Sequence, residues 1–315
     1  MTNKNKAAVA VIGGILVVLS VLAYFYVDLA KVNRERVNVS VVVYGSTAER
    51  WTAFRQGAEQ AASDLDATVN FVTMEENDRE EQERLMSGEL ENGAQGLAVA
   101  LADTRAQAAE YVTATSGAVP MVLVESEIYG NASLPCVAAN AYEMGKELAR
   151  QALEDAPEDA SIHMVWMGEN RQSQKDRMAG FKDACREAGR QVQESLYPNQ
   201  EAMRQVLKGD GTYVLAAIDD LTLETAVNVI GGKQENISLY GIGSSAQIVY
   251  ALDQGLVKGI VFQNEFNMGY EAVDILVQKI RKGGAEEPME IDFHHATGET
   301  LHEPEHERLL YPIIQ

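Results

Sequence analysis

Polar side chains collect at three places where they could do chemistry. Gln263-Asn264-Glu265 follows the apolar run Val257 to Phe262 and precedes a helical repeat of Met268, Ala272, Val273, Leu276 and Ile280. Amides offer both donors and acceptors, so a pair at that junction suits the recognition of ligand hydroxyls. Asp219-Asp220 closes the run "VLAAI" in a similar way, either as ligand contacts or as the cap of the next helix, where the dipole favours acids. Four of the five histidines fall between His294 and His306 beside several glutamates, a composition compatible with zinc. Pro304 interrupts the interval from His302 to His306, so a solvated acidic tail is preferred. No metal and no cofactor is assigned. The chain shows no Walker loop, nucleophile elbow, HExxH or dinucleotide fingerprint, and "GIGSSA" lacks the third glycine. Enzymatic activity is not expected.

The elements that must position these residues alternate. "VNVSVVVY", "TVNFVTM", "GLAVALA" and "VPMVLVES" read as strands, with helices at Trp51 to Leu65, Asp78 to Leu90 and Ala106 to Ser116 between them. A second series starts near Asn140 with a helix over Tyr142 to Leu153. It continues through "SIHMVWMG", a helix over Lys175 to Ala188, "QVQESLY", "TYVLAAID", "ISLYGIG" and "VKGIVFQ", again with helices between. Near-continuous apolar strands alternating with helices predict parallel sheets covered on both faces. About ten strands are too many for one sheet, and the restart favours two doubly wound lobes over a βα barrel. Ligands of open parallel sheets bind beyond the carboxyl ends of the strands, which directs Gln263 and Asn264 into a crevice between the lobes.

One segment is not globular. Ala7 to Val27 carries no charge, and about 21 residues at helical rise span roughly 31 Å, one bilayer core. Tyr24, Phe25 and Tyr26 suit the interface at its end. The segment is read as a retained transmembrane anchor, with a cleaved signal peptide as the alternative, and the body is placed outside the cytoplasm. The net charge of -21 over 315 residues argues against a nucleic-acid partner, because a phosphate backbone needs a basic surface. Cys136 and Cys185 read as two separate buried hydrophobes rather than a disulfide.

Val37 to about Asp292 resembles the type I periplasmic binding proteins of the ribose- and galactose-binding kind. The resemblance rests on "RWTAFRQGAEQAASDL", "GLAVALADT", "VPMVLVES", "VAANAYEMGKELA", "SQKDRMAGFKDAC", "AIDDLTLETAV" and "YGIGSSAQIVYALDQGLVKGIVFQNEFNMGYEAV", in that order. It implies an α/β fold of two doubly wound parallel-sheet lobes joined by a hinge, here preceded by one transmembrane helix. Residues 1–36 then form the tail, anchor or signal segment, and linker. Residues 37–139 form the N-terminal lobe, completed by about 264–292, and residues 140–263 the C-terminal lobe, completed by about 293–315.

The resemblance also implies a ligand-binding set. Trp51 falls where the family stacks an aromatic ring on a sugar face, and Gln263 where an amide binds hydroxyls from the last hinge strand. Glu125 replaces an aspartate, and Lys175 falls where a bidentate arginine is usual, although a lysine supplies only a point charge. Ser46, Asp219 and Asn264 complete the set, and Arg177 is read as structural. Ala100, Ile218 and Gly243 occupy positions that carry hydrogen-bonding side chains in sugar binders. A buried hydroxyl without a partner costs about 1–3 kcal/mol, so either the ligand is less hydroxylated, or the pocket is rebuilt, or this lobe pair no longer binds a sugar. The implied function is a membrane-tethered, extracytoplasmic solute-binding protein serving an ABC permease. A ligand sensor working through a membrane histidine kinase is the alternative.

Overall fold

The computed structural model describes residues 16–22, 36–45, 48–74, 78–128, 134–154, 156–168, 171–197, 199–206, 212–232, 236–283 and 288–311. The chain divides into two units, residues 1–36 and 37–315. In the first, residues 16–22 are helical with exposed side chains. The rest of the apolar run Ala7 to Val27 lies outside the described residues. Among the described residues no helix is long and apolar enough to cross a membrane.

The second unit holds two six-stranded sheets. The first is built from β1 (Val37–Val43), β2 (Ala67–Thr73), β3 (Gly96–Ala100), β4 (Met121–Val124), β5 (Cys136–Ala139) and β11 (Met289–Ile291). Their spatial order is β11-β5-β4-β3-β1-β2, all parallel. β1 shows why. Val39, Val41, Val42 and Val43 are all fully buried, which only a strand covered on both faces allows. Each such side chain contributes about 1.5–3 kcal/mol of burial. Helices α1 (Thr52–Asp64) and α9 (Glu265–Lys282) cover one face, and α2 (Arg79–Glu91) and α3 (Ala106–Ser116) cover the other.

The second sheet contains β6 (Ser161–Trp166), β7 (Val192–Leu196), β8 (Tyr213–Ala217), β9 (Ile237–Ile242), β10 (Val257–Gln263) and β12 (Phe293–Thr297). Its order is β12-β10-β9-β8-β6-β7, with β12 alone antiparallel to its neighbour. Helices α4 (Ala141–Glu154) and α5 (Gln172–Glu187) pack on one face. On the other lie α7 (Asp220–Ile230), α8 (Ala246–Asp253) and the terminal α10 (Pro304–Leu310), while the short α6 (Gln200–Val206) sits beside α7. Pro304 opens α10, where its missing N–H and fixed φ are harmless.

The chain passes between the sheets three times. It leaves β5 for α4, leaves β10 for α9, and runs from β11 through Asp292 into β12. The Asn264 N–H donates to the Asp292 carbonyl at 3.1 Å, tying two of these crossovers together.

Glycine sets the depth of one helix pair in each lobe. A Cβ on Gly57 of α1 would lie 1.9 Å from the Phe266 carbonyl oxygen, and one on Gly269 of α9 would lie 2.0 Å from that of Phe54. The second lobe repeats the device. A Cβ on Gly145 of α4 would sit 2.0 Å from the Arg177 carbonyl oxygen, and one on Gly180 of α5 would sit 2.0 Å from that of Tyr142. Only glycine permits such backbone approach, and it fixes the helices that carry the site. Cys136 and Cys185 are both free and buried, as thiols among apolar neighbours.

Candidate functional site

Both sheets point the carboxyl ends of their parallel strands at one crevice, and three of those ends have unusual backbones. Gly45 after β1, Glu125 after β4 and Gly243 after β9 have φ of +101°, +67° and +151°. For glycine this costs little. For Glu125 the left-handed conformation costs roughly 1–3 kcal/mol, a strain held where the surroundings demand that side chain.

The demand is visible in its partners. The Glu125 carboxylate is buried at 3% exposure and accepts from Arg50 at 2.8 Å, from Arg177 of α5 at 3.3 Å and from the Tyr44 hydroxyl. Arg50 and Tyr44 belong to the first lobe and Arg177 to the second, so Glu125 is held from both sides. Arg50 also crosses the crevice to Asp220 at 3.2 Å. Its guanidinium lies 4.1 Å from the centre of the Trp51 ring. Arg171 stacks over Tyr44 at 4.0 Å and reaches Asp219 at 3.5 Å, and Gln174 donates to the same Asp219 carboxylate. Two further contacts close the lobes on each other: the Gln172 N–H donates to Thr104 Oγ1 at 2.8 Å, and the Ser173 N–H donates to Ser126 Oγ at 3.1 Å.

The electrostatics follow from burial and these neighbours. Burial pushes the Glu125 carboxyl up, but Arg50, Arg177, Arg171 and the Tyr44 hydroxyl outweigh it and bring the pKa down to about 2. Glu265, at the first position of α9 and 7% exposed, goes the other way. Burial raises it, Arg50 offsets part, and the nearby Asp220 and Glu125 charges raise it again, to about 8. Burial also lifts the Tyr44 phenol far above its usual range, so it stays a donor to Glu125. The crevice therefore holds four carboxylic groups (Glu125, Asp219, Asp220, Glu265) against the guanidiniums of Arg50, Arg171 and Arg177.

The residues singled out by sequence divide. Glu125 and Asp219 are in this cluster, and Asp219 also caps α7, accepting from the Thr222 N–H at 2.9 Å. The ligand and capping readings of that acid are compatible. Gln263 ends β10 at the crossover with its side chain buried. Asn264 caps α9, accepting from the Asn267 N–H at 3.0 Å, and lines an outer groove with Phe266 and Tyr311 rather than the ion cluster.

Trp51 is fully buried in the first lobe. Its Nε1 donates to the Tyr44 carbonyl at 2.7 Å, Tyr44 and Phe54 meet it edge-on, and Arg50 lies over its ring. Lys175 is exposed on α5, while Gln174 and Arg177 of the same helix enter the crevice. Ser46 lies outside the described residues. Gly243 has a direct cause: a Cβ there would lie 2.7 Å from Asp220 Oδ1. Ile218 is core, and its carbonyl oxygen lies 3.5 Å from Arg177 Nη1.

Arg50, Arg171 and Gln174 are the members that sequence reasoning missed, while Glu265 stood in the polar junction after β10 without being assigned to the site. Gln174 and Arg177 share a helical spacing of three, and with Met178 and Phe181 they continue the buried stripe of α5. That polar end of an apolar stripe is the signal that could have found them. The histidines do not converge. His294 is 3.6 Å from Glu305, His302 is 3.1 Å from Asp253 and His306 contacts the Thr300 carbonyl. Among the described residues no group of three or more such ligands is placed to hold a metal ion.

A family model described as the periplasmic binding protein domain matches residues 39–285. The chain belongs to that family. No curated protein matches it by sequence. Among solved structures, this periplasmic binding protein is similar to a carbohydrate-transporter solute-binding protein from Agrobacterium radiobacter in complex with D-arabinose, at 16% identity over 88% of this chain and 100% of that one, with a TM-score of 0.79. An ABC-transporter solute-binding protein from Agrobacterium vitis bound to α-D-tagatopyranose gives 17% identity, the same coverage and a TM-score of 0.77. Another from Agrobacterium vitis, with bound D-fucose, gives 18% identity over 87% of this chain and 100% of that one, with a TM-score of 0.75. At these identities the likeness is one of fold, and in that fold the cluster around Glu125 lies in the crevice between the lobes.

Proposed function

We propose that this protein is an extracytoplasmic solute-binding protein that captures a small, sugar-like ligand between its lobes for an ABC importer. The observation that carries the proposal is Glu125. It sits in a strained left-handed conformation at the end of β4, and guanidiniums from both lobes hold it. A ligand that takes over some of these hydrogen bonds touches both lobes at once, and so biases the closed arrangement over the open one. Guanidinium and carboxylate groups alternating around a crevice suit a polyol, whose hydroxyls both accept and donate. The sugars bound by the three related structures support the class of ligand.

In this reading Ala7 to Val27 tethers the protein to the membrane, with the binding unit outside. Glu125, Asp219 and Gln263 contribute to the ligand site. Trp51 acts beneath Arg50 rather than as a stacking face. A thermal-shift screen of monosaccharides and cyclitols tests the proposal, since a ligand that binds only the folded state stabilises it by mass action. The expected hit also shrinks the radius of gyration in solution scattering. Stabilisation by peptides or amino acids with no sugar response would refute the sugar reading.

A further inference from the structure

Beside the ion cluster, against the crossovers, lies a chamber of about 330 Å³ between the lobes. The first lobe supplies Glu125, Ser126, Glu127 and, from β11, Glu290, the first crossover supplies Asn140, and α5 supplies Gln172, Ser173 and Asp176. Its described lining includes four carboxylates and no lysine or arginine; Glu127 and Glu290 are exposed at its rim, Glu125 is already paired with Arg50 and Arg177, and Asp176 is half-buried. Two side-chain atoms of this lining are buried without a hydrogen-bond partner. Ser173 is 3% exposed with its Oγ buried and unbonded, and the Gln172 Oε1 is likewise buried without a donor while its Nε2 is spent on Asp176 at 2.9 Å. The floor is apolar, made of Ala138, Ala139 and Met289 among others.

A ligand group suited to this lining is rich in donors and carries positive charge, because buried acceptors need donors and clustered carboxylates need a cation. We infer that the ligand carries a protonated primary amine, as an amino sugar does, and that this chamber receives its ammonium group beside Ser173 and Asp176. The inference rests on the reading of the crevice as the ligand site and narrows it to a class. At longer range, a net charge of -21 steers cations toward the protein and anions away.

The test uses the full-length protein in mild detergent, titrated calorimetrically at pH 7 with matched sets. Glucosamine, galactosamine and mannosamine are compared with glucose, galactose and mannose, and with the N-acetylated amines, which keep the shape and lose the charge. At least one free amine is expected to bind ten-fold or more tightly than its neutral parent and its N-acetyl form. Asp176→Asn is expected to bring that ratio close to one, with its melting curve reporting that the variant is folded. A neutral parent binding as tightly as its amine overturns this inference and leaves the sugar-binding proposal in place. No binding by any member of the three sets overturns this inference as well, and the wider screen of monosaccharides and cyclitols then decides the sugar-binding proposal separately.

Discussion

Replacing Glu125 by glutamine keeps the shape of the side chain and removes its charge. Two estimates of the cost agree. Leaving a buried charge without its partner costs about 3–5 kcal/mol, and since Arg50 retains Asp220 at 3.2 Å, the lower end applies. Independently, the carboxyl is held near pKa 2 against an ordinary 4.5, which at about 1.4 kcal/mol per unit corresponds to roughly 3 kcal/mol in favour of the charged form. Glu125→Gln is therefore expected to lower the unfolding free energy by about 3 kcal/mol in urea denaturation at pH 7, with m unchanged. Glu127→Gln, an exposed neighbour, is expected to change it by less than about 0.5 kcal/mol. Because the Arg177–Glu125 pair spans the lobes, Glu125→Gln is also expected to expand the protein in solution scattering. A Glu125→Gln loss below about 1 kcal/mol, or a loss no larger than that of Glu127→Gln, refutes the view that this carboxylate holds the crevice together.

Glu265 sets a pH dependence of opposite sign to that of Glu125. Its folded pKa is raised, so its stabilising contribution is complete below its unfolded pKa near 4.5 and is lost as pH rises through about 8; that of Glu125 is lost as pH falls from about 4.5 toward 2. Glu265→Gln is expected to remove the decline in stability between pH 5 and pH 9, as read by denaturant midpoints across that range. Trp51→Ala is expected to cost about 3–5 kcal/mol of stability in the same assay, because the ring is fully buried between Tyr44, Phe54 and Arg50. Gly145→Ala forces α4 away from the Arg177 backbone and is expected to cost about 1–3 kcal/mol in denaturation while also weakening ligand binding in calorimetry, since Arg177 moves with α5.

The alternation of strands and helices, the two series and the strand ends at Asp219 and Gln263 are local properties. Each follows from a period of side chains along a short stretch of chain, so the α/β class and the two strand-and-helix series were legible in the sequence. What lines the crevice is not local. Trp51 and Arg50 are neighbours in a single turn, and only the packing of Tyr44 and Phe54 around the indole decides that the ring is buried and the guanidinium takes its open face. Lys175 and Arg177 stand two positions apart on α5, about 200° around the helix, so one faces out and the other in. Which of them faces the first lobe depends on how α5 is seated against α4 by Gly145 and Gly180. Arg50, Glu125, Arg177 and Asp220 come from four separate segments and meet only because two sheets fold against three crossovers. Their charges can be buried there because each neutralises the next, a condition that no single segment of the sequence can express.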